Sequence, residues 1–440
     1  MGWGGATWTI LEPLLENGSL PNLAGLIARG RTAELESIRP PASAAAWTSL
    51  STGKHPGQTG VADWVATAPD VYDLTLNTAD QVKAPFVWEQ LRGTGLRSFV
   101  FGAPLAAPAR PIDGTLIAGS PVQSEESWTY PRELASELTT AGILSDPSGI
   151  VTPQQFSIAL FHEQLAKKRE FILKHMQQDD WDLGWLVFEE LDELHRLCWP
   201  GENEQELINA YAALDSLLGE LLAIAGPQTD VIVVSEHGMR IYDEAFGLHA
   251  MMLHEGYSAI NGPLQPFIPP PNSSRFEIQN AEHLHRIAGC EFQLTRATAS
   301  TCEGNIGSAR LGLQGMEAWA IVPFENHDMV LDDLKDRLDD QSSPYTLELA
   351  FRGAQRLEEL YPGEHSSRNP NLIFEFEPQF LLTNDLVMST FRKLDPPIAA
   401  PELNGIFIAA GPAFTHESER ASRSILDVAP QVLQLFGREP

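Results

Sequence analysis

Three short segments of the chain carry residue types that act as nucleophiles, bases or metal ligands. The first is RPPASAAAWTSLSTGKHPGQTG (39–60), in which prolines precede Ser43 and an alanine-rich run that favours helix. Ser43 is therefore predicted at a helix N-cap, where free N–H groups and the positive dipole end lower the cost of an oxyanion beside a hydroxyl nucleophile. The same pattern fits a serine that only caps its helix, because serine is strongly preferred there.

The second segment is GWLVFEELDELHRLCW (184–199), in which an apolar run typical of a buried strand is followed by Asp192 and His195. An aspartate and a histidine three residues apart lie on one helical turn and can reach a single metal. Carboxylate and imidazole together suit zinc, manganese or iron. A short acidic helix with a solvent-facing histidine would show the same pattern.

The third segment is DVIVVSEHGMR (230–240), an apolar strand pattern that stops at Glu236 and His237, just before Gly238. Adjacent Glu and His residues at a strand end can both face a site if the turn rotates them together, although a plain exit from strand to loop looks alike. Ligands in open α/β folds bind at the carboxyl ends of the strands. We therefore predict that Ser43, the Asp192/His195 pair and the Glu236/His237 pair share one pocket.

The elements that must position these residues follow an α/β pattern. Short apolar runs bounded by turn residues recur along the chain, with helical stretches between them, which predicts a mostly parallel central sheet flanked by helices. The predicted strands are Phe99–Phe101, Trp185–Phe188, Val231–Val234, Ala318–Val322, Leu372–Phe376 and Ile406–Ala410.

Other segments predict the helices and the domain organisation. Residues 8–30 are predicted to form an amphipathic helix, with Pro21 near a helix start and Gly30 just past its end. Near the C-terminus, Pro430 is expected to kink or divide the helix Ser424–Phe436. The prolines in 261–274 predict a loop. The predicted organisation is a core at 1–260 with a helical insertion at about 125–180, an inserted or cap region at 261–380, and a C-terminal core segment at 381–440.

Composition narrows the classes of partner. The 440 residues include 29 Lys and Arg against 59 Asp and Glu, a formal net charge of -30 that disfavours binding to nucleic acid or anionic membranes. No run approaches the roughly 18 apolar residues of a membrane span, and the start MGWGGATW does not resemble a signal peptide. Cys198, Cys290 and Cys302 are too few for a disulfide framework. We expect a cytoplasmic protein with a small-molecule substrate and leave its oligomeric state open.

In order and spacing, these segments resemble the type I phosphodiesterase and nucleotide pyrophosphatase branch of the alkaline phosphatase superfamily. LEELYPG (357–363), GIFIAAGPAF (405–414) and SILDVAPQVLQLFG (424–437) extend the resemblance over nearly the whole chain. It implies an alkaline-phosphatase-like sandwich in which a Thr or Ser nucleophile at a helix N-terminus lies beside two divalent metals. Carried over, Ser43 is the nucleophile, Asp192 and His195 belong to one metal, and Glu236 and His237 belong to the other.

The departures from the family pattern affect the implied metal sites. Gly4 stands where an aspartate ligand is expected, with no strand expected before it, and Pro401 stands where a histidine is expected. Thr59 replaces another histidine, and Glu236 replaces an aspartate. Neither metal site is complete, so the four remaining ligands could merge into one site. We expect at most one divalent metal, zinc or manganese, or none.

The resemblance implies a hydrolase or transferase that acts on a small anionic ester through Ser43. Lys54 would steady the substrate, and His195 or His237 would serve as the base if no metal binds. Two alternatives stay open. One is a metal-poor pseudoenzyme that survives as a binding protein, and the other is an enzyme repurposed for non-phosphate chemistry in the same pocket.

Overall fold

The computed structural model describes residues 1–67, 74–124, 126–146, 150, 156–178, 180–261, 276–277, 290–315, 320–366, 372–384 and 389–438. In chain order the strands are β1 (Gly2–Trp3), β2 (Arg31–Glu36), β3 (Val65–Thr67), β4 (Leu74–Leu76), β5 (Ser98–Ala103), β6 (Gly114–Ala118), β7 (Thr129–Tyr130), β8 (Leu183–Phe188), β9 (Val231–Val234), β10 (Gly238–Gly247), β11 (Ala297–Glu303), β12 (Ile306–Leu311), β13 (Phe351–Arg356), β14 (Leu372–Phe376), β15 (Phe380–Thr383), β16 (Phe391–Glu402), β17 (Asn404–Ala410) and β18 (Ala421–Ser424). The α-helices are α1 (Trp8–Glu16), α2 (Pro21–Ile27), α3 (Ser43–Thr52), α4 (Pro56–Thr59), α5 (Val87–Gln90), α6 (Leu134–Ala141), α7 (Ile158–Gln178), α8 (Glu190–Cys198), α9 (Glu204–Ala225), α10 (Leu248–His254), α11 (His327–Asp339), α12 (Leu357–Leu360) and α13 (Val428–Leu435).

A nine-stranded sheet forms the centre of the molecule, in the order β18-β2-β17-β9-β1-β8-β5-β6-β7. The strands from β9 through β6 pair in parallel, whereas β17 pairs antiparallel with both β2 and β9. The predicted α/β class with a mostly parallel sheet is confirmed. Four predicted strands lie in this sheet as β5, β8, β9 and β17. The predicted strand Leu372–Phe376 instead joins a separate antiparallel sheet as β14, and Ala318–Val322 lies partly outside the described residues.

The first strand is short but present, contrary to the expectation that it is missing. Gly2 and Trp3 pair in parallel with Val187 and Phe188 of β8, and Gly2 also pairs with Val234 of β9. Two residues suffice because the neighbouring strands provide hydrogen-bond partners on both sides. Three adjacent parallel strands, β9, β1 and β8, therefore end at the same edge of the sheet. The segments with Glu236, Gly4 and Asp192 follow these strand ends.

Residues 8–30 form two helices rather than one. The Asn17–Ser19 turn, with Gly18 at a φ of 78°, separates α1 from α2, and Pro21 begins α2 as predicted. At the other end of the chain, Pro430 neither kinks nor divides its helix. It lies in the first turn of α13, where a missing N–H group breaks no helical hydrogen bond.

Residues that follow the predicted loop build a second hydrophobic core. An antiparallel sheet in the order β11-β12-β14-β13 packs with α11 around buried side chains that include Leu334, Phe374 and Phe376. Of the loop predicted at 261–274, residues 262–274 lie outside the described residues. β11 ends at Glu303, which lies near Arg196 of α8, beside the central sheet. We call the antiparallel sheet with its hydrophobic core the second unit, and this contact joins the second unit to α8.

Helix α9 is long and apolar enough to cross a membrane by length and composition alone. In the structure it packs instead against α2, α7 and α8, with Leu207, Leu214 and Leu218 buried. The buried carboxylate of Asp215 accepts hydrogen bonds from the backbone N–H groups of Asn22 and Leu23, at the start of α2. This packing is typical of a core helix in a globular protein.

A buried ion pair joins α7 to α8, and we predict a large stability loss when it is broken. The side chains of Lys168 and Glu190 are only 8% and 6% exposed, and burial lowers the pKa of Lys168 to about 8. Lys168→Met should lower the free energy of unfolding by about 3–5 kcal/mol, because Glu190 loses its ion-pair partner in the interior. Urea denaturation at pH 7 measures this loss.

Lys174→Met is the matched control on the same helix. Lys174 pairs with Glu137 at the surface, where the two side chains are 52% and 38% exposed. Its loss should cost no more than about 1 kcal/mol. Equal losses for the two variants would contradict a structural role for the buried pair.

Candidate active site

Ser43 is the first residue of α3 and is the only residue of that helix that is not buried. The N-cap is Ala42, one residue earlier than predicted, so the Ser43 hydroxyl caps no backbone N–H group. Its Oγ lies 3.0 Å from Nε2 of His237, which is fully buried. The Ser43 side chain is thus half-buried and turned towards the segment after β9.

The tautomer of His237 follows from its second contact. Nδ1 lies 2.8 Å from the carbonyl oxygen of Gly238, which can only accept a hydrogen bond, so Nδ1 carries the proton. In the neutral ring Nε2 then has a lone pair, and the Ser43 hydroxyl donates to it. A hydroxyl that donates to an oriented imidazole is the arrangement that activates a serine nucleophile.

Glu236 lies beside this pair. Its Oε2 accepts a hydrogen bond from the Gly5 N–H at 3.0 Å, and its Oε1 lies 3.4 Å from His237 Nε2. Burial raises the pKa of Glu236 above its ordinary value. The longer side chain of a glutamate therefore reaches from the end of β9 to the turn after β1.

Gly4 leaves no room for the aspartate that the family pattern expects. Its N–H donates to the Phe188 carbonyl at 3.1 Å. A Cβ atom at this position would lie 2.7 Å from the carbonyl oxygen and 2.9 Å from the Cα of Glu189. Both contacts are with backbone, which cannot rotate away as a side chain could. The backbone of Glu189, just after β8, therefore occupies the space that an aspartate side chain at position 4 would need.

We predict that Gly4→Asp destabilises the protein and does not complete a metal site. The overlap with the Glu189 backbone should cost about 1–3 kcal/mol or more. Thermal unfolding measures the loss, and elemental analysis measures bound metal. As a control, Gly25→Ala places its Cβ in open space on α2 and should stabilise the fold by about 0.4–1 kcal/mol. Wild-type stability together with an added metal ion in Gly4→Asp would contradict the steric argument.

Asp192 connects His237 to an arginine that sequence reasoning missed. Asp192 Oδ1 is buried, makes no hydrogen bond among the described residues and lies 3.9 Å from His237 Nε2. Its Oδ2 accepts from Nε of Arg196 at 3.3 Å. Desolvation by burial acts to raise the pKa of Asp192, but the net shift is downward, and the charge of Arg196 is the largest opposing cause. The i,i+4 spacing of Asp192 and Arg196 on α8 was the available signal.

Glu303 extends this charge network from the second unit. Its Oε2 lies 3.9 Å from Nη2 of Arg196, and desolvation raises the pKa of Glu303 to about 7. Nothing in the sequence pattern pointed to this residue, because it lies far along the chain from the three segments. The antiparallel sheet of the second unit brings it to α8.

His195 does not face Ser43 as a free ligand. Its Nδ1 lies 2.7 Å from the Leu191 carbonyl and its Nε2 lies 2.9 Å from the Tyr211 hydroxyl, so both ring nitrogens are engaged. The ring is fully buried, and desolvation lowers the pKa of His195 to about 4. A neutral, doubly hydrogen-bonded imidazole of this kind links α8 to α9.

Lys54 lies far from Ser43, whereas Pro401 lies close to His237. Lys54 follows the C-terminal end of α3, so the length of the ten-residue helix, about 15 Å, separates it from Ser43. The expectation that Lys54 steadies a substrate at Ser43 is therefore wrong.

Pro401 pairs with Met239 in the sheet of β10 and β16, close to His237. Its ring carries no ligand atom, and its carbonyl accepts from the Tyr242 hydroxyl at 2.8 Å.

Comparisons with known proteins decide the family. Residues 2–394 match the sequence profile of the family described as type I phosphodiesterase / nucleotide pyrophosphatase. The chain belongs to this family. No curated protein matches the sequence.

Solved structures share the fold of this family member at low identity. Phosphonoacetate hydrolase from Sinorhizobium meliloti 1021, in complex with phosphonoformate, is 14% identical with a TM-score of 0.63, and the match covers 97% of this chain and 92% of that one. Murine ectonucleotide pyrophosphatase / phosphodiesterase 5, an inactive variant in complex with AMP, is 13% identical with a TM-score of 0.54, covering 99% and 94%. The human protein of that name is 12% identical with a TM-score of 0.52, covering 96% and 91%. These likenesses confirm the alkaline-phosphatase-like fold.

The metal sites implied by the family resemblance do not fit the residues of this family member. The four-ligand merged site is not formed, because the His195 ring is held by Leu191 and Tyr211 and because Arg196 binds Asp192 Oδ2. Among the described residues, no group of three His, Cys, Asp or Glu side chains is arranged to hold a metal ion.

Proposed function

We propose that this protein is a hydrolase or transferase that acts on a small phosphorus ester, with Ser43 as nucleophile and His237 as general base. One observation carries the proposal, namely the 3.0 Å hydrogen bond from the Ser43 hydroxyl to Nε2 of a histidine whose Nδ1 is held by Gly238. The nucleophile Ser43 contacts the base His237, and the Gly238 carbonyl orients that base, which is the arrangement that covalent catalysis requires. The family membership supports phosphorus as the reacting centre.

The first step transfers the phosphoryl group to Ser43. As Oγ attacks phosphorus, its proton passes to Nε2, a P–Oγ bond forms, and the bond to the leaving oxygen breaks with its electron pair on that oxygen. The imidazolium then releases its proton to the leaving group or to solvent. In the second step Nε2 accepts a proton from a water or an acceptor alcohol as its oxygen attacks phosphorus. The P–Oγ bond breaks with its electron pair on Oγ, which takes the proton from Nε2 and restores the Ser43 hydroxyl.

The start of α3 supports an anionic group at this position. The first helical hydrogen bond runs from the Ala46 N–H to the Ala42 carbonyl, so the N–H groups of the first turn before it have no partner within the helix. The helix dipole adds positive potential at the same end. The ligands phosphonoformate and AMP of the structural relatives both carry phosphorus–oxygen groups, which supports this substrate class.

Trapping of the covalent intermediate tests the proposal. Wild-type protein mixed with bis-p-nitrophenyl phosphate and quenched in acid should yield a Ser43 peptide heavier by the transferred phosphoryl group, detected by mass spectrometry. The released p-nitrophenol should appear as a burst that is stoichiometric with the protein. A modified peptide elsewhere, or turnover with no burst and no adduct, would count against Ser43 as nucleophile.

A repurposed enzyme is the second candidate, and one observation favours it. Asp192 and Glu236 place two carboxyl groups beside His237, and a negative charge there repels a phosphate but not a neutral carboxylic ester. The same trapping experiment with p-nitrophenyl acetate distinguishes the two, because it would leave an acetyl group on Ser43. A folded protein that turns over neither ester would favour the binding-protein alternative.

A further inference from the structure

The side chain of Arg196 is a positive charge inside a group of carboxylates. It lies on α8, one turn after Asp192, and it contacts Asp192 Oδ2 through Nε at 3.3 Å. Its Nη2 lies 3.9 Å from Glu303 Oε2. The guanidinium thus stands between the helix that carries Asp192 and the strand β11 of the second unit.

These contacts use little of the hydrogen-bonding capacity of Arg196. A guanidinium has five N–H donors, and in the described part of the chain only Nε–H makes a hydrogen bond to an acceptor. The distance of 3.9 Å to Glu303 is that of an ion pair, longer than a hydrogen bond. The side chain is 34% exposed, so Arg196 is not closed off from solvent.

Asp192 joins this cation to the proposed catalytic pair. One carboxylate oxygen contacts Arg196, and the other, which makes no hydrogen bond among the described residues, faces His237 Nε2 at 3.9 Å. The guanidinium, the carboxylate, the imidazole and the Ser43 hydroxyl therefore form a continuous series of neighbouring groups.

We propose that Arg196 is the resident cation of this site, binds the phosphoryl oxygens of the substrate through its Nη groups, and takes the charge role that the family resemblance assigns to a divalent metal. This inference rests on the proposed function, because it assumes a phosphorus ester at Ser43. A guanidinium is permanently charged, and its planar donors match two oxygens of a phosphoryl group. It needs no ligand from Gly4, Pro401 or His195.

Arg196 and a divalent cation compete for Asp192, so removal of the guanidinium should free Asp192 to act with Glu236 and His237 as a metal ligand. Zinc binding is then expected to be weak in the wild type and at least about tenfold tighter in Arg196→Ala, where three of the usual ligand groups become available. Isothermal titration with Zn²⁺ after dialysis against a chelator measures both affinities.

The experiment combines this titration with the binding of inorganic phosphate. Wild-type protein stripped with EDTA should bind phosphate, Arg196→Gln should bind it at least about tenfold more weakly, and Arg196→Lys should lie between them because it keeps the charge but loses the planar fork. Arg169→Gln is the matched control, because it breaks an ion pair with Glu220 between α7 and α9 and leaves the site intact. It should bind phosphate and Zn²⁺ as the wild type does.

Phosphate binding that disappears on chelation and returns with Zn²⁺ would overturn the inference, as would wild-type phosphate affinity in Arg196→Gln. If Arg196→Gln does not fold, the wild type after chelation and Arg196→Lys still decide the question. Failure of the proposed function looks different. In that case Ser43 is not modified by any ester, while phosphate binding and its dependence on Arg196 persist.

Discussion

Ser43→Ala should abolish ester turnover while leaving the fold intact. The variant lacks the Oγ that attacks phosphorus, so kcat/KM should fall by roughly 10³-fold or more, as in other enzymes that lose an activated serine. The stability cost should be small because Ala42, not Ser43, is the N-cap of α3. Among the described residues the variant loses one side-chain hydrogen bond, that to His237, which costs about 0.5–1.5 kcal/mol. Steady-state kinetics and urea denaturation separate the two effects.

Ser49→Ala is the control for Ser43→Ala. Ser49 lies on the same helix, is fully buried, and has a hydroxyl with no hydrogen-bond partner among the described residues. Its removal should change neither stability nor turnover appreciably. If a proven ester hydrolysis survives in Ser43→Ala, the nucleophile assignment is wrong. Attack by a water directed by His237 and Glu236 would then be the better mechanism.

His237→Ala should have the second-largest effect on activity. General bases contribute about 10²–10⁴-fold, and here the base also holds the Ser43 hydroxyl in place through its Nε2. Added imidazole should restore part of the rate, because the truncated side chain leaves space where a free imidazole can accept the same proton. Rate measurements across a series of imidazole concentrations, with circular dichroism as a check on folding, test this expectation.

His254→Ala provides the comparison for His237→Ala. His254 lies at the end of α10, exposed, with a 3.1 Å contact between its Nδ1 and the Thr390 hydroxyl. It should retain wild-type activity and show no response to imidazole. A His237→Ala variant that loses activity but gains nothing from imidazole, while its fold stays intact, would indicate that His237 acts by position rather than as a base.

The strand ends that carry the site were predictable because their signals are local. The apolar runs Trp185–Phe188 and Val231–Val234 form β8 and β9, and the alanine-rich run after Ser43 forms α3. Parallel strands place their carboxyl ends at one edge of a sheet, so the meeting of Ser43 with His237 followed from the order of segments. Boundaries were less certain. Ser43 was predicted to be the N-cap of α3, but it is the first helical residue, one position after the observed N-cap Ala42.

The second unit was harder to relate to the site. Glu303 and Arg196 approach to 3.9 Å although they are far apart in the chain. The pattern of apolar residues in one segment gives no information about its distance from the other. That distance depends on long-range contacts, namely the antiparallel pairing of β11 with β12 and the approach of β11 to α8. Only the folded chain shows that a residue of the predicted cap region enters the charge network of Asp192.

The sequence by itself determined which residues are available for chemistry, and the tertiary structure decided what each polar atom contacts. His195 and Arg196 are neighbours on α8, and both are within one turn of Asp192, so helical spacing alone cannot choose between them. Tyr211 of α9 holds the imidazole, and the guanidinium therefore takes the carboxylate. The same holds at Gly4, where the backbone of Glu189 occupies the space of a missing side chain. Partner choice depends on which surfaces pack together, and packing of α8 against α9 and of β1 against β8 is set by the whole fold.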